Sequence, residues 1–539
     1  MEWIFGDMLD AVAAQAPADA PALIHGDRVV LWPDFDRRTN AIARAVHAHG
    51  IEPGAKVGFY MRNRPEYPEM LAAAFKARLV HVNVNYRYQP EELRYIFDNS
   101  DSEIGIFASE FAAQVKALQP MLPSIRLWIE VTEDGREPRC DFAVSYESLT
   151  EGDGAPLGIE RSPDDLLLLY TGGTTGMPKG VMWPMSTLRK AHMEGTVLLA
   201  EPPTNLEEHL AAARENAGVL RQMPACPMMH GTGLFTAMGS MLGGGAVVTL
   251  PTQDHFRPEE LWEAVDRHKV TNIAIVGDAF ARPMLQVLDD NPGAYDLSSL
   301  AVIISSGVMW SREIKQGLLK HAPQAAMADS FGASEAIGFG TSLMTVEGEV
   351  QTAKFTIGDK CKVFSEDGRE IEPGSGEAGL IARGGHLPLG YYKDAEKTAS
   401  TFRTINGARY SIPGDFCTVE ADGTLTLLGR GSVCINTGGE KVYPEEVEEV
   451  LKQHDAVADA LVVGVPDEKW GQAVTAVVEP SPGTNAGEAQ LRDHVRGHLA
   501  GYKVPKRVLF RDSLMRAPNG KADYKATTAY VLSTLGIDV

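Results

Sequence analysis

Short apolar runs separated by longer amphipathic stretches set the rhythm of this chain. Residues 57–61 form an apolar run of strand length, the alanine-rich stretch 69–80 reads as a helix, and 81–85 alternate like a second strand. Strand, helix and strand at this spacing predict a parallel βαβ unit, because parallel neighbours need a crossover. Strand-like runs recur at 104–107, 246–250, 271–276 and 300–305, and helical periods fill 258–268 and 311–321. The alternation predicts an α/β architecture. Residues 201–222 are polar and helix-prone, as expected of a surface excursion. After Gly429 the pattern changes, with helical periods at 447–451 and 490–499 and strand runs at 458–465 and 473–478. The expected organisation is a large α/β domain of several subdomains over 1–430 and a smaller α+β domain over 431–539, with the boundary at 430–433.

A length of 539 residues agrees with more than one core. The 44% hydrophobic and 23% charged content is that of an ordinary globular protein. A formal net charge of −22 argues against a nucleic-acid partner, so any bound polyanion must be held by local donors. The five cysteines have no CxxC spacing and suggest neither a disulfide frame nor a zinc site. The opening Met-Glu-Trp-Ile-Phe-Gly-Asp lacks the basic and apolar regions of a signal peptide, and no apolar run reaches transmembrane length. A cytoplasmic enzyme without an integral membrane segment is expected, and a homodimer stays open.

The densest chemistry lies at 170–180, Tyr-Thr-Gly-Gly-Thr-Thr-Gly-Met-Pro-Lys-Gly, directly after the apolar run 166–169. Gly172, Gly173 and Gly176 let backbone amides approach oxyanions, while Thr171, Thr174, Thr175 and Lys179 add donors and positive charge. That combination suits nucleotide phosphates. A Walker A loop is disfavoured, because Pro178 precedes the lysine and Gly180 follows it where Ser or Thr would open a helix.

The run resembles the phosphate-binding signature of the adenylate-forming superfamily, which includes acyl-CoA synthetases, firefly luciferase and the adenylation domains of peptide synthetases. Gly172 stands where the superfamily has serine, which removes a hydroxyl and keeps the amide. Asp329-Ser-Phe-Gly-Ala-Ser-Glu335 is similar to the Tyr-Gly-x-Thr-Glu motif. By that resemblance Asp329, Ser330, Phe331, Gly332 and Ser334 border the nucleotide, Phe331 supplies a flat face for adenine, and Glu335 holds Mg²⁺ with Thr174. A Ser-Glu pair by itself is more often a helix cap. Ser306, Gly307 and Val308 lie where the family borders adenine. Asp415 and Arg430, fifteen residues apart, take the place of the family's ribose-binding Asp and junction Gly-Arg, with Pro413 replacing the usual threonine. A carboxylate can accept from both ribose hydroxyls.

The resemblance extends to Lys521, whose family counterpart supplies positive charge during adenylate formation, and to Gly438, Gly439 and Glu440, placed beside the thiol channel. In the family the small domain is mobile and rotates between half-reactions; the hinge position here is Ser432. His230, among methionines where a histidine is ordinarily a satisfied core group, takes the position that gates the carboxylate end of the acyl pocket. Val276, Gly277 and Ala279, with Gly332, line that pocket by position; Gly277 and Ala279 are small and the glycines at 243–245 add little bulk, which leaves room for a long or bulky acyl group. The implied reaction joins a carboxylic acid to AMP from Mg·ATP and passes the acyl group to coenzyme A. The run from Gly429 to Glu440 resembles actinobacterial fatty-acid and steroid side-chain CoA ligases. Short-chain or aryl acids, a luciferase-like fate of the adenylate, a peptide-synthetase adenylation domain and a non-enzymatic nucleotide sensor remain the alternatives.

Overall fold

A computed structural model describes the chain apart from residues 1–2, 134–135, 172–176, 195–202, 309, 349–353, 438–439, 468–470, 485, 500, 517–520 and 538–539. The helix Glu66–Lys76 joins the parallel strands Lys56–Tyr60 and Val80–Asn83, which is the βαβ unit expected from the apolar rhythm. Every residue of that helix is buried, so its alanines serve close packing on all sides and not merely helix propensity. Two compact units form, Met1–Val350 with Gly384–Ser411, and Gln351–Arg383 with Ile412–Val539. The segment 430–433 lies inside the second.

Among the described residues, the strands of the first unit fall in two sheets. In one, Leu166–Thr171, Val80–Asn83, Lys56–Tyr60, Ser102–Ala108, Leu127–Val131 and Ala143–Ser145 run parallel, in that order. Lys179–Pro184 and then Gly390–Tyr391 extend it with antiparallel pairing. In the other, Ala246–Thr249, Arg221–Pro224, Asn272–Ile275, Val302–Ser306 and Ala326–Ala333 lie side by side and parallel. The helices Gly231–Leu242, Pro258–His268, Asp278–Asp290 and Arg312–His321 alternate with these strands in the sequence. All five strands therefore end at one edge of the sheet, where open α/β sheets gather ligands. The hairpin Pro21–His25 and Arg28–Leu31 borders this sheet; its runs are too short for periodicity to reveal.

In the second unit, Cys361–Phe364, Gly379–Arg383, Asp415–Val419, Leu425–Arg430 and Lys354–Ile357 pair antiparallel. A further sheet contains Ile435–Thr437, Glu440–Val442, Gly471–Pro480, Val457–Asp467 and Arg507–Phe510. Helices Pro444–Lys452 and Glu488–His498 supply Val447, Leu451, Leu491 and Val495 to its core. Pro444 occupies the first turn, so the helix starts before its apolar period becomes visible at Val447. Among the described residues, no helix is long and apolar enough to cross a membrane.

Candidate active site

The glycine- and threonine-rich segment joins two antiparallel strands, with Thr171 opposite Lys179. Lys179 therefore opens a strand, Lys179–Pro184, and not the helix that follows a Walker A loop, a reading that Pro178 and Gly180 had disfavoured. Gly172, Gly173, Thr174, Thr175 and Gly176 lie outside the described residues. The Lys179 side chain is one-third exposed and forms an ion pair with Asp394. Asp394 also accepts the Lys397 N–H at 2.9 Å, capping the helix Ala395–Thr401.

Asp394 belongs to a short strap that sequence reasoning missed. Gly390 and Tyr391 pair with Met182 and Val181, and the Tyr392 N–H donates to the Gly180 carbonyl at 2.7 Å. The Tyr391 hydroxyl donates to Glu335 Oε1 at 2.6 Å, and the Tyr392 hydroxyl to Asp101 Oδ2 at 2.8 Å. One strap thus holds both the lysine expected to meet the phosphates and the carboxylate expected to hold the metal. Its only sequence signal is the short run of aromatic and charged residues at 391–394, which has no periodicity.

Glu335 is buried, in the tight connection between strands Ala326–Ala333 and Ala336–Met344. It is therefore at a hairpin tip and does not cap a helix. The Trp183 indole N–H donates to the Ser334 carbonyl at 2.9 Å, tying this tip to the strand that carries Lys179. Among the described residues Glu335 Oε2 accepts no hydrogen bond, and no group of three or more His, Cys, Asp or Glu side chains forms a metal cage. That donor set fits Mg²⁺, which takes one or two protein carboxylates and fills its shell with phosphate oxygens and water.

Ser305 aligns with Asp329 and Ser306 with Ser330 across parallel strands, so the two segments expected around adenine are neighbours. Gly307 follows in the left-handed region at φ +87° with Val308 beyond it, and the ladder shifts register at Gly332. Phe331 lies 5.1 Å from the Phe339 ring, centroid to centroid, and is half-buried. Asp329 is ion-paired with the buried Lys315 from helix Arg312–His321, a partner the motif did not announce.

Among the residues expected at the acyl pocket, Gly277 is the N-cap of helix Asp278–Asp290, at φ +57° and ψ −159°, and its N–H donates to Ser305 Oγ at 2.8 Å. Glycine is needed there for its backbone conformation as well as its small size. Val276 is buried in the core of this sheet, whereas Ala279 is exposed on the first turn of helix Asp278–Asp290. His230 is half-buried at the N-cap of helix Gly231–Leu242, unlike the fully covered Met228 and Met229 beside it. Asn83 links His230's neighbour to the strand Leu166–Thr171: its Nδ2 donates to the Tyr170 and Met229 carbonyls at 2.9 and 2.7 Å. The Tyr170 N–H returns to Asn83 Oδ1 at 2.6 Å.

In the second unit Asp415 and Arg430 are direct antiparallel partners, so the fifteen-residue interval in sequence closes to a facing pair of backbone positions. Asp415 is buried and follows Gly414, which takes φ +106°. Gly438 and Gly439 lie outside the described residues; Glu440 starts the strand Glu440–Val442, with Thr437 opposite. Lys521 is an exposed residue, and Ala522 beside it bridges to Arg516.

Comparison with known proteins gives the family of the chain and relatives of its fold. The family model described as AMP-binding enzyme matches residues 9–392, and that described as AMP-binding enzyme C-terminal domain matches 446–521. The chain is 44% identical to a 3-oxocholest-4-en-26-oate–CoA ligase of Rhodococcus rhodochrous, over 94% of this chain and 92% of that protein. It is 42% identical to a medium/long-chain-fatty-acid–CoA/3-oxocholest-4-en-26-oate–CoA ligase of Mycolicibacterium smegmatis, over 95% of this chain and 94% of that protein. Among solved structures, the anthranilate CoA ligase AuaEII in complex with anthranoyl-AMP matches the fold at a TM-score of 0.84 and 21% identity, covering 99% of this chain and 98% of that one.

Proposed function

The chain belongs to the AMP-binding enzyme family, and from that premise we propose how its residues divide the work of an ATP-dependent, AMP-forming acid–CoA ligase. The enzyme condenses a carboxylic acid with ATP to an acyl-adenylate and diphosphate, and the thiol of CoA then displaces AMP. The observation that carries the division is the strap at 390–394, which brings Lys179 and Glu335 into one polar cluster beside the converging strand ends.

Lys179, with the amides and hydroxyls of Thr171 to Gly176, neutralises charge that develops on the phosphates as the α–β bond breaks, a mainly electrostatic contribution. Glu335, assisted by Thr174, would hold Mg²⁺, which when bound screens the same oxygens. Phe331 and Ser306 to Val308 border the adenine, Asp415 accepts from the ribose hydroxyls, and Arg430 adds a donor beside it. His230 closes the carboxylate end of the acyl pocket. Residues 431–539 act as the mobile small domain, contributing Lys521 to adenylate formation and Gly438, Gly439 and Glu440 to thioester formation. No side-chain nucleophile is required. The four cysteines at 140, 226, 361 and 417 are buried, which agrees with a packing role.

The substrate is a medium- or long-chain fatty acid or a bulky steroid side-chain acid, and the site of action is the cytoplasm. Small residues at Gly277 and Gly332 support the large acyl group, and relatives at 42–44% identity carry those substrates in their names. Exchange of labelled diphosphate into ATP, screened over acetate, fatty, aryl and steroid acids before CoA is added, tests the reading. Long-chain or steroid acids should support exchange, and AMP release should then depend on thiol. Exchange confined to acetate or aryl acids would overturn the substrate class, and thiol-independent release would favour another acceptor.

A further inference from the structure

Lys521 sits beside a small bridge whose two sides are both tied to strand Val457–Asp467. Arg516 and Ala522 pair as an isolated antiparallel bridge, and the Asp523 N–H donates to the Met515 carbonyl at 2.9 Å. On one side, Arg516 Nε and Nη2 donate to Asp459 Oδ2 and Oδ1 at 2.5 and 2.8 Å. The two side chains are only 18% and 22% exposed. On the other side, Asp523 caps helix Tyr524–Leu535 through the Ala526 N–H at 2.8 Å. The Tyr524 hydroxyl donates to Glu448 Oε2 at 3.2 Å, and Glu448 Oε1 accepts the Val462 N–H at 2.8 Å. Asp459 and Val462 belong to the same strand.

A lysine is a point charge on a flexible stem, so the reach of its ammonium depends on where its backbone is fixed. An exposed ion pair between single atoms would do little to fix it. A two-bond fork, mostly covered, restricts both distance and orientation. We propose that Arg516 is a positioning residue for Lys521 in adenylate formation, anchored by Asp459, with the Tyr524–Glu448 contact holding the opposite side. The proposal rests on the reading of Lys521 given above.

The test compares Arg516→Ala, Arg516→Lys and Lys521→Ala in the full chain. Adenylate formation is followed by diphosphate exchange, and thioester formation by CoA-dependent AMP release from supplied acyl-adenylate. Arg516→Ala should lower adenylation turnover about 100-fold, the scale of an ångström-sized misplacement, with the KM for ATP and the thioester step both within about twofold. Arg516→Lys should recover part of the loss while keeping one bond to Asp459. Near-normal adenylation by Arg516→Ala, beside a selective loss in Lys521→Ala, would overturn the positioning role and leave the role of Lys521 standing. Equal loss of both half-reactions in Arg516→Ala and Arg516→Lys would overturn it in favour of general support of the domain. Undiminished adenylation by Lys521→Ala would overturn both.

Discussion

Tyr391 makes the only hydrogen bond to Glu335 among the described residues, and it does so from 56 positions away in the chain. Removing a group that orients a metal-binding carboxylate typically weakens the metal about 10- to 100-fold. Tyr391→Phe should therefore raise the Mg²⁺ concentration needed for half-maximal diphosphate exchange by roughly tenfold, with the KM of the acid unchanged. An unchanged magnesium requirement would remove Glu335 from the metal. Glu335 stood out as a candidate in the sequence because its motif is contiguous. Tyr391, Asp394 and Lys315 were not, because each acts through a partner brought near only by sheet pairing or helix packing. Asp329 illustrates the consequence. Its motif resembles one that borders the nucleotide, and the fold gives it a buried lysine.

At the scale of elements, glycine positions that look alike in sequence divide sharply. Gly429 takes φ +117°, and a Cβ there would strike the Glu445 carboxylate from helix Pro444–Lys452. Gly497 lies near the end of helix Glu488–His498 with open space around it and no positive φ. Gly429→Ala should cost about 1–3 kcal/mol in guanidinium unfolding. Gly497→Ala should be neutral or add about 0.5 kcal/mol, since alanine loses less entropy in a helix. Equal effects would mean that the junction at Gly429 is not strained by a side chain. The strands at 56–60, 80–83, 102–108, 246–249, 272–275 and 302–306 emerged at nearly the expected positions because each is a local apolar run, whereas Arg221–Pro224, a central strand, begins inside the polar stretch 201–222 expected to be a surface excursion. The sharp ends that carry Gly277, Gly307 and Gly414 have no period to read, and only their backbone angles mark them.

At the scale of the whole molecule, burial sets how stability responds to pH. Desolvation pushes the Glu448 carboxyl up to about 7, and Asp459 adds to the effect. Arg516 and Lys452 oppose it, and Tyr524 donates to the carboxylate from the far side. The folded state therefore retains a proton that the unfolded chain releases near its ordinary value. Stability from this group is full below about pH 4.5, falls as pH rises, and levels off above about pH 7. Glu448→Gln should flatten that fall between pH 5 and 8 in denaturant titrations, by about 3 kcal/mol at most; parallel curves for the two proteins would contradict it. The sequence by itself determined the alternation of strands and helices, the order of the nucleotide motifs and the reaction class, because apolar periods and contiguous loops are written locally. The tertiary structure alone decided that Lys179 meets Asp394, that Tyr391 meets Glu335 and that Arg516 is locked to Asp459. Those choices depend on which strands pair and in what register, which is set by the burial of whole faces and not by neighbours along the chain.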